Sequence, residues 1–209
     1  MRNSCDWSLD QSNKTYCAAL PCAGSPSGSP IIIDLDRKGF FLTSADEGVQ
    51  FDLAGTGKPV QLAWIAWGAN NAFLVLPGPD GRVTTGKEMF GNYTPQPPPS
   101  PGEQRNGFNA LKVYDANHDG VIDSRDPIFK SLRLWTGRPD AHGAARPEDL
   151  HTLAELGVNS ISLTYHKDNY VDSYGNQFRY TAEANPDKTD AVNPLLYDVW
   201  LVEACLTNK

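Results

Sequence analysis

One segment of the chain carries oxygen-bearing side chains at the spacing of metal ligands, and it reads DANHDGVIDSRD (115–126). Calcium takes hard oxygen ligands, and a twelve-residue loop can supply them from positions 1, 3, 5, 7, 9 and 12. A glycine at position 6 allows the sharp turn that such a loop needs, and Gly120 stands there. The predicted ligands are five side chains and, at position 7, a backbone carbonyl: Asp115, Asn117, Asp119, Val121, Asp123 and Asp126. The segment therefore predicts a site for Ca2+.

The loop matches the EF-hand pattern with one departure. The chain's own composition gives roughly 0.004 chance matches if positions are independent, which disfavours the alternative of an accidental acidic turn. Position 12 is Asp126, where the usual residue is a glutamate that binds through both oxygens. Aspartate is one methylene shorter, which predicts weaker calcium binding or easier entry of magnesium. Four carboxylates repel one another without a cation, so we expect a looser loop when metal is absent.

Composition and charge disfavour several other classes of protein. The 209 residues suit one domain, and 40% of them are hydrophobic, which is enough to bury a core. The net charge of −7 disfavours nucleic acid as a partner, because basic residues dominate binding to phosphate backbones. No apolar run approaches the roughly 20 residues that span a bilayer. An acidic chain favours cations instead.

The four cysteines bear on whether the protein is exported or cytosolic. Three lie near the start of the chain and one near its end: Cys5, Cys17, Cys22 and Cys205. They form no C-x-x-C motif, so a zinc ribbon is not supported. We predict two disulfides in an exported protein, with free thiols in a cytosolic chain as the alternative, and the pairing stays open. The first residues contain no apolar signal-peptide core, so an exported chain would be a mature or clipped form.

Turn residues divide the chain into an arm and one domain. Residues 1–30 are a cysteine-bearing N-terminal arm that ends in the Gly/Ser/Pro linker AGSPSGSP, and residues 31–209 form a single domain. Residues 31–83 read as short strands at roughly ten-residue spacing, which favours antiparallel pairing. Helical spacing begins near Phe108, Pro127 can start a second short helix, and RPEDLHTLAELG is the clearest helix. The expected fold class is α+β: a meander of short antiparallel strands with three or four short helices and one EF-hand-type calcium loop.

Five blocks of the sequence occur in the order of a known bacterial module: SPIIIDLD, GVQFDLAGTG, NAFLVLPGPDGRVTTGKEMFG, NGFNALKVYDANHDGVIDSRDPIFKSLRLW and LHTLAELGVNSISLTY. Through these blocks, over about residues 29–183, the sequence resembles the EF-hand-bearing segment of haemolysin-type (RTX) calcium-binding proteins, including the self-processing module of iron-regulated RTX proteins. This resemblance implies export and calcium-dependent folding.

Other calcium loops of that family are eroded in this chain. Loop 34–39 carries Lys38 where a ligand is expected, and an ammonium group disfavours a bound dication. FDLAGTG retains one acid, and the loops at 77–88 and 138–149 have lost most of theirs. Their remaining carboxylates are either a second site or the acids of tight turns. They are Asp34, Asp36, Asp52, Asp80, Glu88, Asp140, Glu148 and Asp149.

The resemblance also raises the question of self-cleavage. The self-processing relatives cut an Asp–Pro bond just before the DLD stretch, but that junction is Ser29–Pro30 here. Serine lacks the carboxylate that would form the anhydride. The chain's Asp–Pro bond, Asp126–Pro127, lies inside the calcium loop, where metal ligation would restrain its carboxylate.

Other chemistry has weaker support. The histidines are predicted to lie at the surface, and none stands in the H-E-x-x-H register of a zinc protease: His118, His142, His151 and His166. Glu148 and Asp149 could do acid–base work. Four of the five tryptophans could stack on sugars but are expected to be core or edge residues: Trp64, Trp67, Trp135 and Trp200.

The favoured function is an exported, non-enzymatic calcium-binding module, extracellular or at the cell surface, in which Ca2+ stabilises the fold. The alternatives are an enzyme (a calcium-dependent autoprotease or a hydrolase) and an adhesion or carbohydrate-binding domain that uses exposed aromatic residues. The sequence identifies no protein or glycan partner.

Overall fold

The computed structural model describes residues 28–186 and 193–204. The four cysteines, and most of the N-terminal arm, lie outside the described residues. In the described part of the chain the strands follow in this order: β1 (Ile31–Asp34), β2 (Val49–Phe51), β3 (Val60–Leu62), β4 (Asn71–Val75), β5 (Val121–Asp123), β6 (Arg133–Trp135), β7 (Leu150–Thr152), β8 (Ser160–Ser162), β9 (His166–Val171), β10 (Gln177–Glu183) and β11 (Leu195–Trp200).

The largest element is a seven-stranded sheet with the order β7-β6-β4-β1-β11-β10-β9. Every neighbouring pair in it is antiparallel. Two further antiparallel pairs, β2 with β3 and β5 with β8, stand apart from it. The first strand therefore lies at the centre of the sheet, between β4 and a strand from the end of the chain.

The central strand is apolar on both faces because both faces of the sheet are covered. Ile31 and Ile33 contribute to one core layer, which also contains the helix at residues 107–111 and the centre of the acidic loop. Ile32 contributes to the opposite layer, where aromatic rings pack on one another. In that layer the ring centroids of Trp64 and Phe73 are 4.5 Å apart. A strand covered on both faces reads as a continuous apolar run, as III does here.

The expected α+β class with three or four helices is wrong. The described residues contain one α-helix, α1 (Gly107–Leu111), and the other helical segments are 3-10 turns of three or four residues. These turns are Lys112–Tyr114, Pro127–Lys130, Pro147–Asp149 and Ala154–Leu156. The protein is a mainly antiparallel β-structure.

The segment RPEDLHTLAELG gives the physical reason for this correction. Its leucines have helical spacing, but Leu150–Thr152 pairs with β6 as an edge strand of the sheet. Pairing with a distant strand outweighs a weak local preference for helix. Only one short turn forms after it, and Gly157 ends that turn in the left-handed conformation. Pro127 likewise starts a turn of four residues that does not extend into an α-helix.

In the described ranges, no helix has the length and apolar character that a membrane crossing would require.

Candidate metal centre

The acidic loop at 115–126 is fixed to the core at both ends and in the middle. It follows α1, which begins where the side chain of Asn106 accepts a hydrogen bond from the Asn109 amide at 2.8 Å. The middle of the loop is β5, where Ile122 is fully buried and faces Ile161 of β8. The loop ends at the turn that begins with Pro127. A change in the loop would therefore be transmitted to core residues.

The first predicted ligand, Asp115, is buried and organises the turn. Its two carboxylate oxygens accept hydrogen bonds from the amides of Asp119 (3.2 Å) and Gly120 (3.0 Å). The chain turns there through positive φ angles at His118 (58°) and Gly120 (82°). Glycine tolerates this conformation without a steric penalty, which explains its position.

The last predicted ligand, Asp126, closes the loop from the other side. It is almost fully buried, and its oxygens accept hydrogen bonds from the amides of Ala116 (2.8 Å) and Asp123 (3.0 Å). The carboxylate thus links the two ends of the twelve-residue segment. Backbone amides offset part of the cost of burying a carboxylate.

The remaining predicted ligands form a rim in which Asn117 and Asp119 are exposed, whereas Val121 and Asp123 are partly buried. The Asn117 side chain accepts a hydrogen bond from the Asp119 amide (3.1 Å) and donates one to the Asp119 carboxylate (2.9 Å). The other carboxylate oxygen of Asp119 accepts from the Val121 amide at 3.0 Å. The oxygens of the loop's first half are therefore arranged around a common turn.

Arg125, which the sequence analysis did not single out, joins two of the rim carboxylates. Its Nη2 lies 2.6 Å from Asp119 Oδ2 and 2.6 Å from Asp123 Oδ2. Its Nε donates to both oxygens of Asp123, at 3.0 and 2.9 Å. These hydrogen bonds hold the pKa of the Asp123 carboxyl below its usual value. The signal in the sequence was a lone cationic residue at position 11 of an acidic loop.

The donor set fits a hard divalent cation in its chemistry, since it consists of carboxylate, amide and carbonyl oxygens. Within the described ranges, no three acidic, histidine or cysteine side chains already form a group that could hold a metal. The structure brings Asp119 and Asp123 together on Arg125, whereas Asp115 and Asp126 are bound to backbone amides. A metal that uses all the predicted ligands would have to take the rim carboxylates from the guanidinium.

The carboxylates of the eroded loops hold tight turns. Asp34 accepts from the Gly39 amide at 2.7 Å, and Asp52 accepts from the Gly57 amide at 2.6 Å. Asp140 accepts from two amides of its own loop, which lowers the pKa of its carboxyl. In loop 34–39, Lys38 Nζ lies 2.9 Å from Asp36. These acids therefore have the partners expected of turn residues.

The aromatic and acid–base candidates are dispersed. Trp64 and Trp135 are fully buried, which excludes them from an exposed sugar platform, whereas Trp67 is 85% exposed. Trp200 is partly buried beneath the guanidinium of Arg179, 4.2 Å from the ring centroid. Of the predicted surface histidines, three are exposed and one is partly buried: His118, His142 and His166, and then His151.

The suggested acid–base pair is tied to an arginine. Arg146 Nε lies 2.9 Å from Asp149 and 4.0 Å from Glu148.

A buried carboxylate outside the loop was also missed. Asp198 in β11 is fully buried, and its Oδ2 accepts hydrogen bonds from the Ser29 hydroxyl (3.1 Å) and the Gly107 amide (2.7 Å). Its Oδ1 has no hydrogen-bond partner among the described residues. Burial raises the pKa of Asp198 to about 7, with the charge of Arg179 acting in the opposite direction. An aspartate within the apolar strand LLYDVW was the only local signal.

Comparison with known proteins matches most of the described chain to one family. The family model of the SPM domain matches residues 31–202. The chain is also 30% identical over 176 residues to the iron-regulated protein FrpA of Neisseria meningitidis serogroup C. That alignment covers 82% of this chain and 15% of the relative, so the chain corresponds to a small part of the longer protein. The resemblance to iron-regulated proteins is supported at this level, while the EF-hand identification stays a prediction.

Proposed function

This chain belongs to the SPM domain family, and from that premise we propose that it is an exported, non-enzymatic calcium-binding module. The observation that best supports the proposal is the anchoring of the acidic loop. Two buried carboxylates at its ends, Asp115 and Asp126, are oriented by backbone amides, and Ile122 between them is part of the core. An oxygen-rich loop held in this way is suited to a structural cation.

In this proposal each part of the loop supplies some of the calcium ligands. Asp115, Asn117 and Asp119 would bind calcium from the first turn, and the Val121 carbonyl would bind it from β5. Asp123 and Asp126 would complete the shell, directly or through water. The bound cation supplies positive charge that offsets the repulsion among the four carboxylates. Because binding occurs in the folded state, calcium would stabilise the fold by mass action.

The proposed compartment follows from the calcium concentration that such a loop requires. Position 12 is an aspartate, which is one methylene shorter than the usual glutamate, so we propose low affinity. Extracellular calcium modules commonly work with dissociation constants of about 10⁻⁴ to 10⁻³ M. The resemblance to exported bacterial proteins and the cysteine content agree with this compartment.

One observation favours a second candidate, an adhesion or carbohydrate-binding domain. The ring of Trp67 is exposed beside a groove of about 460 Å³ that also contains Arg138 and Arg146. An exposed indole can stack on a sugar ring, and arginines can bind acidic substituents. Both arginines already have protein partners, since Arg138 donates to backbone carbonyls and Arg146 to Asp149. Calcium binding therefore has the stronger support.

Calorimetric titration of the purified, oxidised protein with calcium tests the proposal, together with melting curves in calcium and in EDTA. We expect one calcium per chain and a higher melting temperature in calcium. At a calcium concentration 100 times the dissociation constant, the gain would be about 2.7 kcal/mol.

A double variant in the loop and a matched double variant outside it distinguish loss of the calcium site from a general effect of charge. Asp115→Ala combined with Asp119→Ala should abolish both the heat and the thermal shift. Asp46→Ala combined with Glu47→Ala removes the same charge from exposed positions outside the loop and should retain both. The milder Asp119→Asn tests the site if the double variant in the loop does not fold. No heat and no shift at millimolar calcium would refute the proposed function.

A further inference from the structure

The guanidinium of Arg125 occupies the rim of the acidic loop and contacts two predicted calcium ligands. We propose that Arg125 is a tethered cation that competes with calcium for Asp119 and Asp123, and thereby sets the calcium affinity of the loop. This inference rests on the proposed function and adds to it the residue that controls the site.

The geometry shows how completely the rim carboxylates are engaged. Asp123 receives the Nε and Nη2 groups of Arg125 as a two-pronged pair, and its Oδ1 also accepts from the Arg125 backbone amide at 2.8 Å. Asp119 Oδ2 receives Arg125 Nη2 and the side-chain amide of Asn117. A carboxylate that serves a two-pronged guanidinium must give up charge-assisted hydrogen bonds before it binds a metal.

Arg125 also offsets part of the negative charge of the loop. The segment carries Asp115, Asp119, Asp123 and Asp126 within twelve residues, and Arg125 supplies the positive charge among them. Its Nη2 lies 2.6 Å from one carboxylate oxygen of Asp119 and 2.6 Å from one of Asp123, so a single guanidinium reduces the repulsion between the two. The arginine thus does in part what a bound cation would do. The contact would keep the loop in its turn when no metal is bound, and it would weaken metal binding.

The same geometry shows that displacement is feasible. The Arg125 side chain is 60% exposed and has a long flexible stem, so it can move into solvent without a change in the backbone. The inner carboxylates, Asp115 and Asp126, are held by backbone amides and make no ion pair with Arg125. Calcium could therefore first contact the inner oxygens and then displace the arginine from the rim. Calcium would then replace the guanidinium at the rim, while the backbone of the loop would keep its conformation.

Calcium affinity and metal-free stability together test this proposal. Arg125→Gln should bind calcium about 3- to 10-fold more tightly, since exposed ion pairs have modest strength. The metal-free variant should also melt at a lower temperature than the wild type, because its rim carboxylates repel one another. Arg125→Lys keeps the charge but loses the two-pronged geometry, and its affinity should lie between the two. Arg82→Gln removes one exposed positive charge outside the loop and should bind as the wild type does.

The outcomes distinguish this inference from the proposed function. If the wild type binds one calcium and Arg125→Gln binds it equally or more weakly, the competition is refuted while the calcium site stands. If Arg125→Gln binds calcium and the wild type does not, the proposed function of the wild-type chain fails, whereas the competition between Arg125 and calcium is upheld. If the wild type, Arg125→Gln and Arg125→Lys all fail to bind calcium, the proposed function fails and the inference fails with it.

Discussion

The buried carboxylate of Asp198 should make the stability of this protein depend on pH. Asp198 is fully buried beneath the start of α1, where the Ser29 hydroxyl and the Gly107 amide donate to one of its oxygens. Burial raises the pKa of this carboxyl to about 7, against an ordinary value of 3.8, and Arg179 is the charged group that opposes the shift. Asp198→Asn is the informative change, because an amide has nearly the same shape and cannot ionise.

The direction of the pKa shift determines whether stability rises or falls with increasing pH. Because the folded state holds the proton more tightly than the unfolded state, Asp198 contributes its full stability below about pH 4. That contribution is lost as the pH rises through about 7. A difference of about three pKa units corresponds to a total of about 4 kcal/mol. Between pH 5 and pH 8 the loss should be about 2 to 3 kcal/mol.

The assay is denaturant unfolding of the oxidised protein at several pH values between 5 and 8. The free energy of unfolding of Asp198→Asn should rise relative to the wild type as the pH increases, because its neutral amide escapes the cost of a buried charge. Asp46→Asn, at an exposed position, should follow the wild type at every pH. A wild-type-to-variant difference that stays constant from pH 5 to pH 8 would refute the assigned role of the buried carboxyl.

Two further predictions concern packing around the loop and at the surface. Ile122→Ala should lower the free energy of unfolding by about 2 to 5 kcal/mol in a denaturant titration, because it leaves a cavity at a fully buried position. A loss below 1 kcal/mol would contradict the anchoring of the loop in the core. Trp67→Ala should change the free energy of unfolding by less than about 0.5 kcal/mol in the same assay, because its side chain is 85% exposed. A larger loss would mean that the indole is packed.

Local signals were sufficient for the strands in the first part of the domain. Short apolar runs separated by turn residues predicted short strands within residues 31–83. The structure has four strands there: Ile31–Asp34, Val49–Phe51, Val60–Leu62 and Asn71–Val75. Each of these runs is bounded by residues that favour turns, so the sequence itself marks where each strand begins and ends. The order of the sheet is a different matter. Ile31 pairs with Asp198, and no local pattern specifies a partner so far along the chain.

The same distinction applies to the candidate site. The bounds of the acidic loop follow from spacing alone, because the turn at Gly120 and the carboxylates around it lie within twelve residues. The contact of Arg125 with Asp119 and Asp123 is also local, but it depends on the side-chain conformation of a long residue. The environment of Asp198 depends on three segments that meet only in the folded protein: the chain near Ser29, the start of α1 and strand β11. Sequence spacing could not have identified it.

The elements around the loop favour a stabilising role for a cation over a switching role. Calcium switches of the helix–loop–helix type work by changing the angle between two long helices and exposing a groove. Here α1 has five residues, and the turn after the loop has four, so no such pair of helices is present among the described residues. The start of α1 is held by Asp198, and the loop that follows it is closed by Asp126. With both ends fixed and Ile122 in the core, a cation in this loop would strengthen an existing arrangement, which is the behaviour expected of a structural site.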